Sequence, residues 1–403
     1  MRAPLVGRSQ APQASSTRAA ARQSFSFTRS LGRIPPERGQ FLRLGIDVRK
    51  LGDGGIGEYI RETLTAVRGL RPDLEIVAFG ARDGRALLQL ENVEWVAVAA
   101  GKYSIAEHIA LPAAARGRHV DLFHAPHYVL PLALAGLAVV TVHDLIHVLF
   151  PRSALHKAYA RFMIGSACRR ARRVITVSEA TARDLRAHFA VPAERLRVIA
   201  NGVAPRFRRL PRASVDRTLQ ALGVARPYVL FVGNCLPHKN VETLIRAWDR
   251  LAEPRPGLVL CGRGFDRSSA VREAMAAVRG PERIRVIDTA GGDDLVGLYN
   301  GAELLASTSL YEGFCLPIVE AFACGTPVLA PDTGAVPEVA ADAARLVSPR
   351  RVDTIADEMY RLLTDQELRK GLVERGQQRA ARFSWTEAAR TTLSVYEEVV
   401  ANS

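Results

Sequence analysis

From residue 41 onward, short apolar runs alternate with longer segments of helical periodicity. The first run covers residues 43–48, and a glycine-rich loop then leads into a helix with Ile60, Leu64 and Val67 on one face. Further runs lie at residues 75–79, 94–98, 120–124, 138–143 and 173–177. This alternation is typical of βα units and parallel sheets.

A second series of the same kind begins after Asn201-Gly202, a dipeptide typical of turns. Its predicted strands lie at residues 228–232, 257–261, 284–287, 303–306, 327–330 and 344–347. We therefore predict an α/β protein with two Rossmann-like parallel-sheet domains that face a central cleft. Because open sheets of this type bind ligands at the carboxyl ends of their strands, both domains are expected to contribute to one site.

The length of 403 residues suits two hydrophobic cores better than one. We predict a disordered basic tail over residues 1–40, a first Rossmann-like domain over 41–205 and a second over 206–385. The basic, proline-punctuated stretch 205–212 is the predicted linker. A C-terminal helix over 386–403 is expected to pack back toward the first domain.

The formal net charge is +14, and the first forty residues, with seven Arg and one Glu, supply +6 of it. The rest favours anionic partners such as phosphates, sugar nucleotides or an anionic membrane face. No nucleic-acid recognition motif accompanies the charge, so nucleic acid is not an expected partner.

Five cysteines are scattered without a Cys-x-x-Cys pair, which predicts a reduced, cytoplasmic protein without disulfides or a zinc site. The longest uncharged stretch, residues 125–142, contains Pro126, Pro131 and Gly136 and is predicted to be loop and buried strand. Peripheral association with the inner membrane face stays open as an alternative.

The most informative segment runs from Ser309 to Gly325 and holds two glutamates, Glu312 and Glu320, eight positions apart. Pro317 fits the first position of a helix and Gly325 fits the position after its end. Glu312 is therefore predicted in the loop after a strand and Glu320 in the first helical turn. Free N–H groups at this helix start are a ready phosphate site, formed by Phe314, Cys315 and Leu316.

The two carboxylates suit a sugar ligand. Glu320 can accept hydrogen bonds from a ribose diol, and Glu312 can meet a sugar hydroxyl or developing positive charge. The alternative is that both glutamates only favour the positive end of the helix dipole.

The loop at residues 52–57 reads Gly-Asp-Gly-Gly-Ile-Gly and satisfies the dinucleotide fingerprint G-x-G-x-x-G. That fingerprint also requires an acidic residue at the end of the second strand, but the chain there reads Phe79-Gly80 and the nearest acid is Asp83. An NAD(P)-dependent oxidoreductase therefore stays an alternative, as does a tight turn without a ligand.

The segment around Glu312 resembles the signature of the retaining GT-B glycosyltransferases of family 4, an E-x7-E pattern within Y-E-G-F-x-x-P-x-x-E-A. Residues 232–240 resemble the family's diphosphate loop, with Lys239 at the position of the phosphate-binding lysine. Residues 260–264 resemble its nucleobase loop, and residues 334–338 and 383–385 match further segments. The resemblance covers residues 42 to about 400.

The resemblance implies retaining transfer of a hexose, with mannose slightly favoured, from a nucleoside-diphosphate sugar to a glycan or lipid-linked acceptor. Neither a metal nor a cofactor beyond the nucleotide sugar is implied. One departure is Asn234, where many relatives carry an arginine, so Arg263 is a candidate for the missing charge. The implied donor-binding residues are Gly55, Gly57, Asn234, Arg263, Gly313, Phe314, Cys315, Leu316 and Glu320.

The implied catalytic residues are Glu312, Lys239 and His143, the last in a His143-Asp144 pair that contacts the donor sugar opposite the Glu312 loop. The resemblance also implies attack on the front face, with the departing phosphate taking the acceptor proton. The predicted acceptor-side residues are Glu58, Tyr59, His124 and His127. A sugar-nucleotide-binding protein without catalysis is a further alternative, for which Asn234 is the hint.

Overall fold

The computed structural model describes residues 42–88, 90–101, 104, 106–134 and 136–403. The predicted basic tail over residues 1–40 lies outside the described residues. Residues Phe41–Ser403 form one compact unit. Within it, two parallel sheets and their helices make two lobes, which confirms the predicted fold class.

The first lobe is built on a sheet with the strand order β3-β2-β1-β4-β5-β6-β7 among the described residues, and every pair is parallel. Its strands are β1 (Arg43–Asp47), β2 (Glu75–Gly80), β3 (Val93–Ala97), β4 (Leu122–Ala125), β5 (Leu137–Val142), β6 (Arg173–Thr176) and β7 (Leu196–Val198). Its helices are α1 (Gly54–Leu70), α2 (Arg85–Leu88), α3 (Glu107–Arg116), α4 (Ile146–Leu149), α5 (Ala154–Arg170) and α6 (Glu179–Phe189).

The second lobe has the strand order β10-β9-β8-β11-β12-β13 in the described part of the chain, again parallel throughout. Its strands are β8 (Tyr228–Val232), β9 (Gly257–Cys261), β10 (Ile284–Ile287), β11 (Leu304–Ala306), β12 (Val328–Pro331) and β13 (Arg345–Val347). The helices that follow β7 are α7 (Arg212–Leu222), α8 (Val241–Asp249), α9 (Ser269–Ala277), α10 (Gly292–Gly301), α11 (Leu316–Cys324), α12 (Val336–Ala340), α13 (Val352–Thr364), α14 (Gln366–Ala380) and α15 (Trp385–Ala401).

Both faces of the first sheet are covered, because its strands are apolar on both sides. One core joins the sheet to α3, α5 and α6, and another joins it to α1 and α15. Along β5, Ala138 and Val140 face the first core while Val139 faces the second. This alternation decides which side chains at the strand ends are buried.

The chain crosses between the lobes twice, through residues 199–211 and 381–384. The two crossings are bonded together, because the Val203 N–H donates to the Phe383 carbonyl at 3.1 Å. Gly202 is not part of a turn, contrary to the prediction. Glycine is needed at position 202 because a Cβ on this residue would lie 2.2 Å from the backbone nitrogen of Trp385.

The second crossing leads into α15, which packs against α1 of the first lobe. The Tyr396 hydroxyl bonds Nδ1 of His124 at 2.7 Å, and the Glu398 carboxylate pairs with Arg173 and Arg197. The first lobe therefore contains residues from both ends of the described chain. None of the described helices is long and apolar enough to cross a bilayer.

Candidate active site

Lys239 and Glu312 meet at the carboxyl edge of the second sheet. Lys239 ends a short 3-10 turn after β8, and Glu312 lies in the loop after β11. The Lys239 Nζ and Glu312 Oε1 atoms are 2.6 Å apart, with side chains 17% and 7% exposed. Burial works to lower the pKa of Lys239, but the Glu312 carboxylate outweighs it and the net shift is upward. The site thus holds a charged lysine in a largely dry place.

The end of β5 lies directly against the Glu312 loop. A Cβ on Gly313 would lie 2.1 Å from the His143 carbonyl oxygen and 2.8 Å from the Asp144 Cβ. Burial raises the pKa of Asp144 to about 6, with Glu312 adding to the rise and Lys239 opposing it. Residues from the two lobes therefore share one pocket, with two carboxylates near one ammonium group.

His143 is held as a neutral ring. Its Nε2 lies 2.9 Å from the Pro126 carbonyl oxygen, which can only accept, so Nε2 carries the proton and Nδ1 is the acceptor. Burial lowers the pKa of His143 to about 4, against the hydrogen bond to Pro126. The edge of the ring packs on Tyr59 with centroids 4.7 Å apart.

The start of α11 faces this pocket. Cys315 is the N-cap, with φ of 74°, and Pro317 takes the second helical position rather than the predicted first. No described residue accepts a hydrogen bond from the N–H groups of Phe314, Cys315 and Leu316. These donors are available to an anion.

In the glycine-rich segment, residues 54–57 form the first turn of α1 rather than a loop, while Gly52 and Asp53 lie in the turn before the helix. A Cβ on Gly57 would lie 2.2 Å from the Leu51 carbonyl oxygen, so the passage from β1 into α1 requires glycine there. A Cβ on Gly55 would lie 3.7 Å from Leu316 Cδ1. The starts of α1 and α11 therefore lie beside each other.

Glu320 lies in the second turn of α11, contrary to the prediction of the first turn. The side chain is buried and accepts a hydrogen bond from the Tyr299 hydroxyl at 2.6 Å. Burial raises the pKa of Glu320 to about 7. The hydrogen bond from Tyr299 and the charge of Arg206 oppose this rise, and the charge of Glu58 adds to it. Neither Lys239 nor Glu312 pairs with Glu320.

A hydrogen bond joins the loop after β8 to the loop after β9. The Arg263 N–H donates to Asn234 Oδ1 at 3.1 Å, and Arg263 Nε donates to Thr289 Oγ1 at 3.2 Å. A Cβ on Gly262 would lie 2.1 Å from the Gly233 carbonyl oxygen. Asn234 and Arg263 are both exposed at this edge of the sheet.

Tyr59, His124 and His127, which we predicted on the acceptor side, are all buried. His124 and the Tyr59 hydroxyl both bond Thr141 Oγ1, at 2.9 and 3.1 Å, in the core under α15. His127 Nε2 lies 3.2 Å from Asp47 Oδ2. Burial lowers the pKa of His124 to about 3, so its ring is neutral.

Glu58 of α1 forms ion pairs with two arginines, one of them in the segment that connects the lobes. It pairs with Arg206 of the first crossing and with Arg61 at 2.8 Å, while Arg206 also pairs with Glu62 at 3.1 Å. The sequence singled out Glu58 but contained no signal for its partner, since Arg206 is one of many arginines.

Two more contacts between the lobes converge on α6. The Glu338 carboxylate accepts the backbone N–H groups of Glu179 and Ala180 at 2.9 and 3.1 Å. The Tyr311 hydroxyl donates to Asp184 Oδ2 at 2.6 Å. Sequence reasoning gave these residues no role, although Glu338 lies in a segment that matches the family.

Two parallel-sheet α/β lobes whose strand ends meet at one pocket are the arrangement of the GT-B glycosyltransferases. Two family models match the chain, described as Glycosyltransferase Family 4 over residues 53–207 and Glycosyl transferases group 1 over residues 217–379. The chain belongs to the group 1 glycosyltransferases of family 4 and is a glycosyltransferase. An oxidoreductase and a protein without catalysis are thereby set aside.

Named relatives are enzymes that act on sugars. The chain is 30% identical over 287 residues to O-antigen chain mannosyltransferase B of Escherichia coli, covering 68% of this chain and 74% of the relative. It is 33% identical over 233 residues to the MMP alpha-(1->4)-mannosyltransferase of Mycolicibacterium hassiacum, covering 57% of this chain and 54% of the relative. The second match thus spans only about half the length of the relative.

Solved structures agree on the fold. Sucrose-phosphate synthase from Thermosynechococcus elongatus matches with a TM-score of 0.75 at 20% identity, covering 90% of this chain and 100% of that one. Anabaena Alr3699/HepE in complex with UDP-glucose matches with a TM-score of 0.75 at 19% identity, covering 89% of this chain and 100% of that one.

Proposed function

We propose that this glycosyltransferase moves a hexose, with mannose slightly favoured, from a nucleoside-diphosphate sugar to a hydroxyl of a glycan or lipid-linked acceptor, with retention and without a metal. The contact between Lys239 and Glu312, beside the unpaired amides of α11, carries the proposal. Mannose is favoured because two relatives are named as mannosyltransferases.

The leaving diphosphate meets Lys239 and the N–H groups of Phe314, Cys315 and Leu316. Negative charge develops on this group as the bond to the sugar breaks, and fixed donors in a dry site stabilise it strongly. Glu312 holds the lysine in place before the donor binds and then accepts from a sugar hydroxyl. Arg263 and Asn234, in the hydrogen-bonded loops after β8 and β9, contact the rest of the nucleotide.

Transfer breaks the bond from the anomeric carbon to the phosphate oxygen and forms a bond to the acceptor oxygen on the same face. The acceptor proton passes to the departing phosphate, so no protein carboxylate acts as a nucleophile. His143 is neutral, and its Nδ1 accepts from a donor-sugar hydroxyl. Asp144 lies next to it, opposite Glu312.

The test replaces the paired residues one at a time. Lys239→Ala and Glu312→Ala are each expected to lower kcat/KM roughly 100-fold to 1,000-fold, as the loss of one fixed charge stabiliser does. Lys370→Ala and Glu367→Ala, at exposed positions of α14, are the matched controls and are expected to keep parental rates. A Lys239→Ala enzyme with parental kcat/KM would remove the phosphate role.

The donor is identified by a thermal-shift screen of GDP-, UDP- and ADP-sugars, because a ligand that binds only the native state raises Tm. GDP-mannose is expected to give the largest rise. If no nucleotide sugar raises the Tm, the proposed donor class is wrong.

A further inference from the structure

Arg263 is an exposed arginine that its neighbours nevertheless hold in one direction. It lies in the loop after β9, where its backbone N–H donates to Asn234 Oδ1 at 3.1 Å and its carbonyl accepts from the Cys235 N–H at 2.8 Å. Its Nε donates to Thr289 Oγ1, in the loop after β10, at 3.2 Å. These three hydrogen bonds fix the backbone of Arg263 and orient its guanidinium group.

The two terminal nitrogens of this guanidinium group are available to a ligand. Among the residues that the structure describes, none accepts a hydrogen bond from Nη1 or Nη2 of Arg263. The segment that follows Thr289 leaves open space, because a Cβ on Gly291 or Gly292 would meet no atom within 4 Å. A flat group can therefore lie against this glycine backbone and reach both nitrogens.

The pair formed by Arg263 and Thr289 lies beyond the phosphate site along the edge of the second sheet. In the strand order β10-β9-β8-β11, Glu312 follows β11 and Lys239 follows β8, whereas Arg263 follows β9. Neighbouring strands are about 4.8 Å apart, so the pair lies roughly 5–10 Å past the β8 loop. If the proposed function is correct and the diphosphate lies on Lys239, the nucleoside extends to this pair.

The surface between the two places is built for close approach. A Cβ on Gly233 would lie 3.8 Å from Lys239 Cε, and a Cβ on Gly262 would lie 2.1 Å from the Gly233 carbonyl oxygen. Glu320, the predicted ribose ligand, accepts a hydrogen bond from Tyr299 of α10, and the start of α10 follows the β10 loop. The predicted ribose ligand and the arginine pair thus border the same helix.

The charge near the pair disfavours a phosphate as its ligand. Asp288 precedes Thr289, and Asp293 and Asp294 lie in the first turn of α10, all three being exposed. These carboxylates repel a phosphate held at Arg263 but do not repel an uncharged base. The charge pattern therefore favours the base over the diphosphate as the ligand of this arginine.

We propose that Arg263 selects a guanine base. The parallel N–H donors of a guanidinium group match two adjacent acceptors in one plane, and guanine offers such a pair in O6 and N7. Adenine has an amino donor in place of O6, and a pyrimidine lacks N7. Thr289 is a positioning residue, because it holds Nε and leaves both Nη atoms to the base. The donor of the proposed transfer is then a guanosine-diphosphate sugar.

The experiment measures the Kd of the full chain for nucleoside diphosphates by titration calorimetry. GDP is expected to bind about tenfold or more tightly than ADP and UDP, because a bidentate contact discriminates between bases by about that factor. 7-Deaza-GDP, which carries a C–H group in place of N7, is expected to bind about fivefold or more weakly than GDP. Equal affinity for GDP and 7-deaza-GDP would overturn the proposal.

Variants identify the residue that reads N7. Arg263→Ala is expected to weaken GDP binding about tenfold and to remove the difference between GDP and 7-deaza-GDP. Thr289→Val keeps the side-chain shape without the hydroxyl and is expected to reduce that difference about twofold or more, which a loss of stability alone would not do. Arg272→Ala, at an exposed position of α9, is the matched control and is expected to keep the parental affinities.

The outcomes separate this proposal from the proposed function. If Arg263→Ala weakens GDP and 7-deaza-GDP by the same factor, the arginine holds the diphosphate and the selection of guanine is wrong. If the parent binds GDP, ADP and UDP equally, guanine selection is also wrong while the transfer reaction stands. If the parent binds no nucleoside diphosphate, the proposed donor class fails, and the assignment of Arg263 fails with it.

Discussion

Glu320 is a carboxyl group whose protonation is set by its surroundings. It is buried on α11, with the Tyr299 hydroxyl as its donor at 2.6 Å. Burial raises its pKa to about 7, and the nearby Glu58 adds to this rise. A carboxyl group that takes up its proton near neutral pH makes both the stability and the shape of the site sensitive to pH.

The sign of this dependence follows from the raised pKa of Glu320. The folded state binds a proton that the unfolded state releases above its ordinary pKa, so the contribution is complete below about pH 4.5 and is lost as pH rises to about 7. We expect the stability of the parent, relative to Glu320→Gln, to fall by up to a few kcal/mol across that window. Urea unfolding at several pH values measures the difference, and a constant difference contradicts the raised pKa.

Individual site residues were predictable where a local pattern fixed them. The strand–loop–helix pattern around Glu312 and the position of Lys239 after β8 placed both at one sheet edge, where they meet at 2.6 Å. The burial of Tyr59 on α1 and of His124 on β4 was not predictable, because long-range packing decides whether a side chain at this edge of the sheet points to the cleft or to the core. Here both side chains bond Thr141, and His124 also bonds Tyr396 of α15, so both point to the core.

A carboxylate of the second lobe accepts hydrogen bonds from the first N–H groups of α6 in the first lobe. Glu338 accepts two N–H groups there, and charge-assisted bonds of this kind contribute about 1.5–3 kcal/mol. We expect Glu338→Ala to lower kcat roughly tenfold or more, because the lobes lose a contact that holds them together around the site. The donor KM is expected to change less.

Steady-state kinetics of Glu338→Ala, beside the exposed control Glu374→Ala of α14, checks this expectation. A parental kcat in Glu338→Ala would show that the contact with α6 is not needed for turnover.

The helix α15 completes the core of the first lobe through a buried hydrogen bond. Tyr396→Phe leaves His124 Nδ1 without its partner in the interior, and an unsatisfied buried group costs about 1–3 kcal/mol. We therefore expect Tyr396→Phe to lower the free energy of unfolding, measured by urea titration, by that amount. Tyr360→Phe on α13, where the side chain is 53% exposed, is expected to change it by less than about 0.5 kcal/mol. Equal effects would contradict the role of the bond.

Most elements were predictable because buried parallel strands are continuous apolar runs bounded by polar sequence. The predicted strands match β1–β6 and β8–β13 to within two residues. β7 was missed because Leu196–Val198 is short and contains Arg197, so only its pairing with β6 makes it a strand. The start of α1 at Gly54 was missed because glycines favour a loop until packing overrides that preference.

At the scale of the whole molecule, Gly313 sets how closely the lobes approach. A Cβ at Gly313 would lie 2.1 Å from the His143 carbonyl oxygen, so Gly313→Ala must push the two sheet edges apart. We expect at least a 100-fold loss of kcat, since a displacement of about 1 Å between reacting groups has effects of that size. Tm is expected to change little, because each lobe keeps its own core.

The control is Gly69→Ala on the exposed side of α1, where a Cβ meets no atom within 4 Å. It is expected to keep full activity and to stabilise the helix by up to about 1 kcal/mol. Initial rates and melting curves for both variants distinguish the outcomes, and a fully active Gly313→Ala enzyme would contradict the close approach.

The return of α15 to the first lobe has a consequence for biosynthesis. A nascent chain leaves the ribosome from its N-terminus, and domains generally fold in that order. Here the core under α1 includes Trp385, Tyr396 and Val399, so it lacks one wall until the second lobe has been translated. The second lobe is therefore the first to be complete in its own core, and the earlier-made lobe becomes native only when α15 docks.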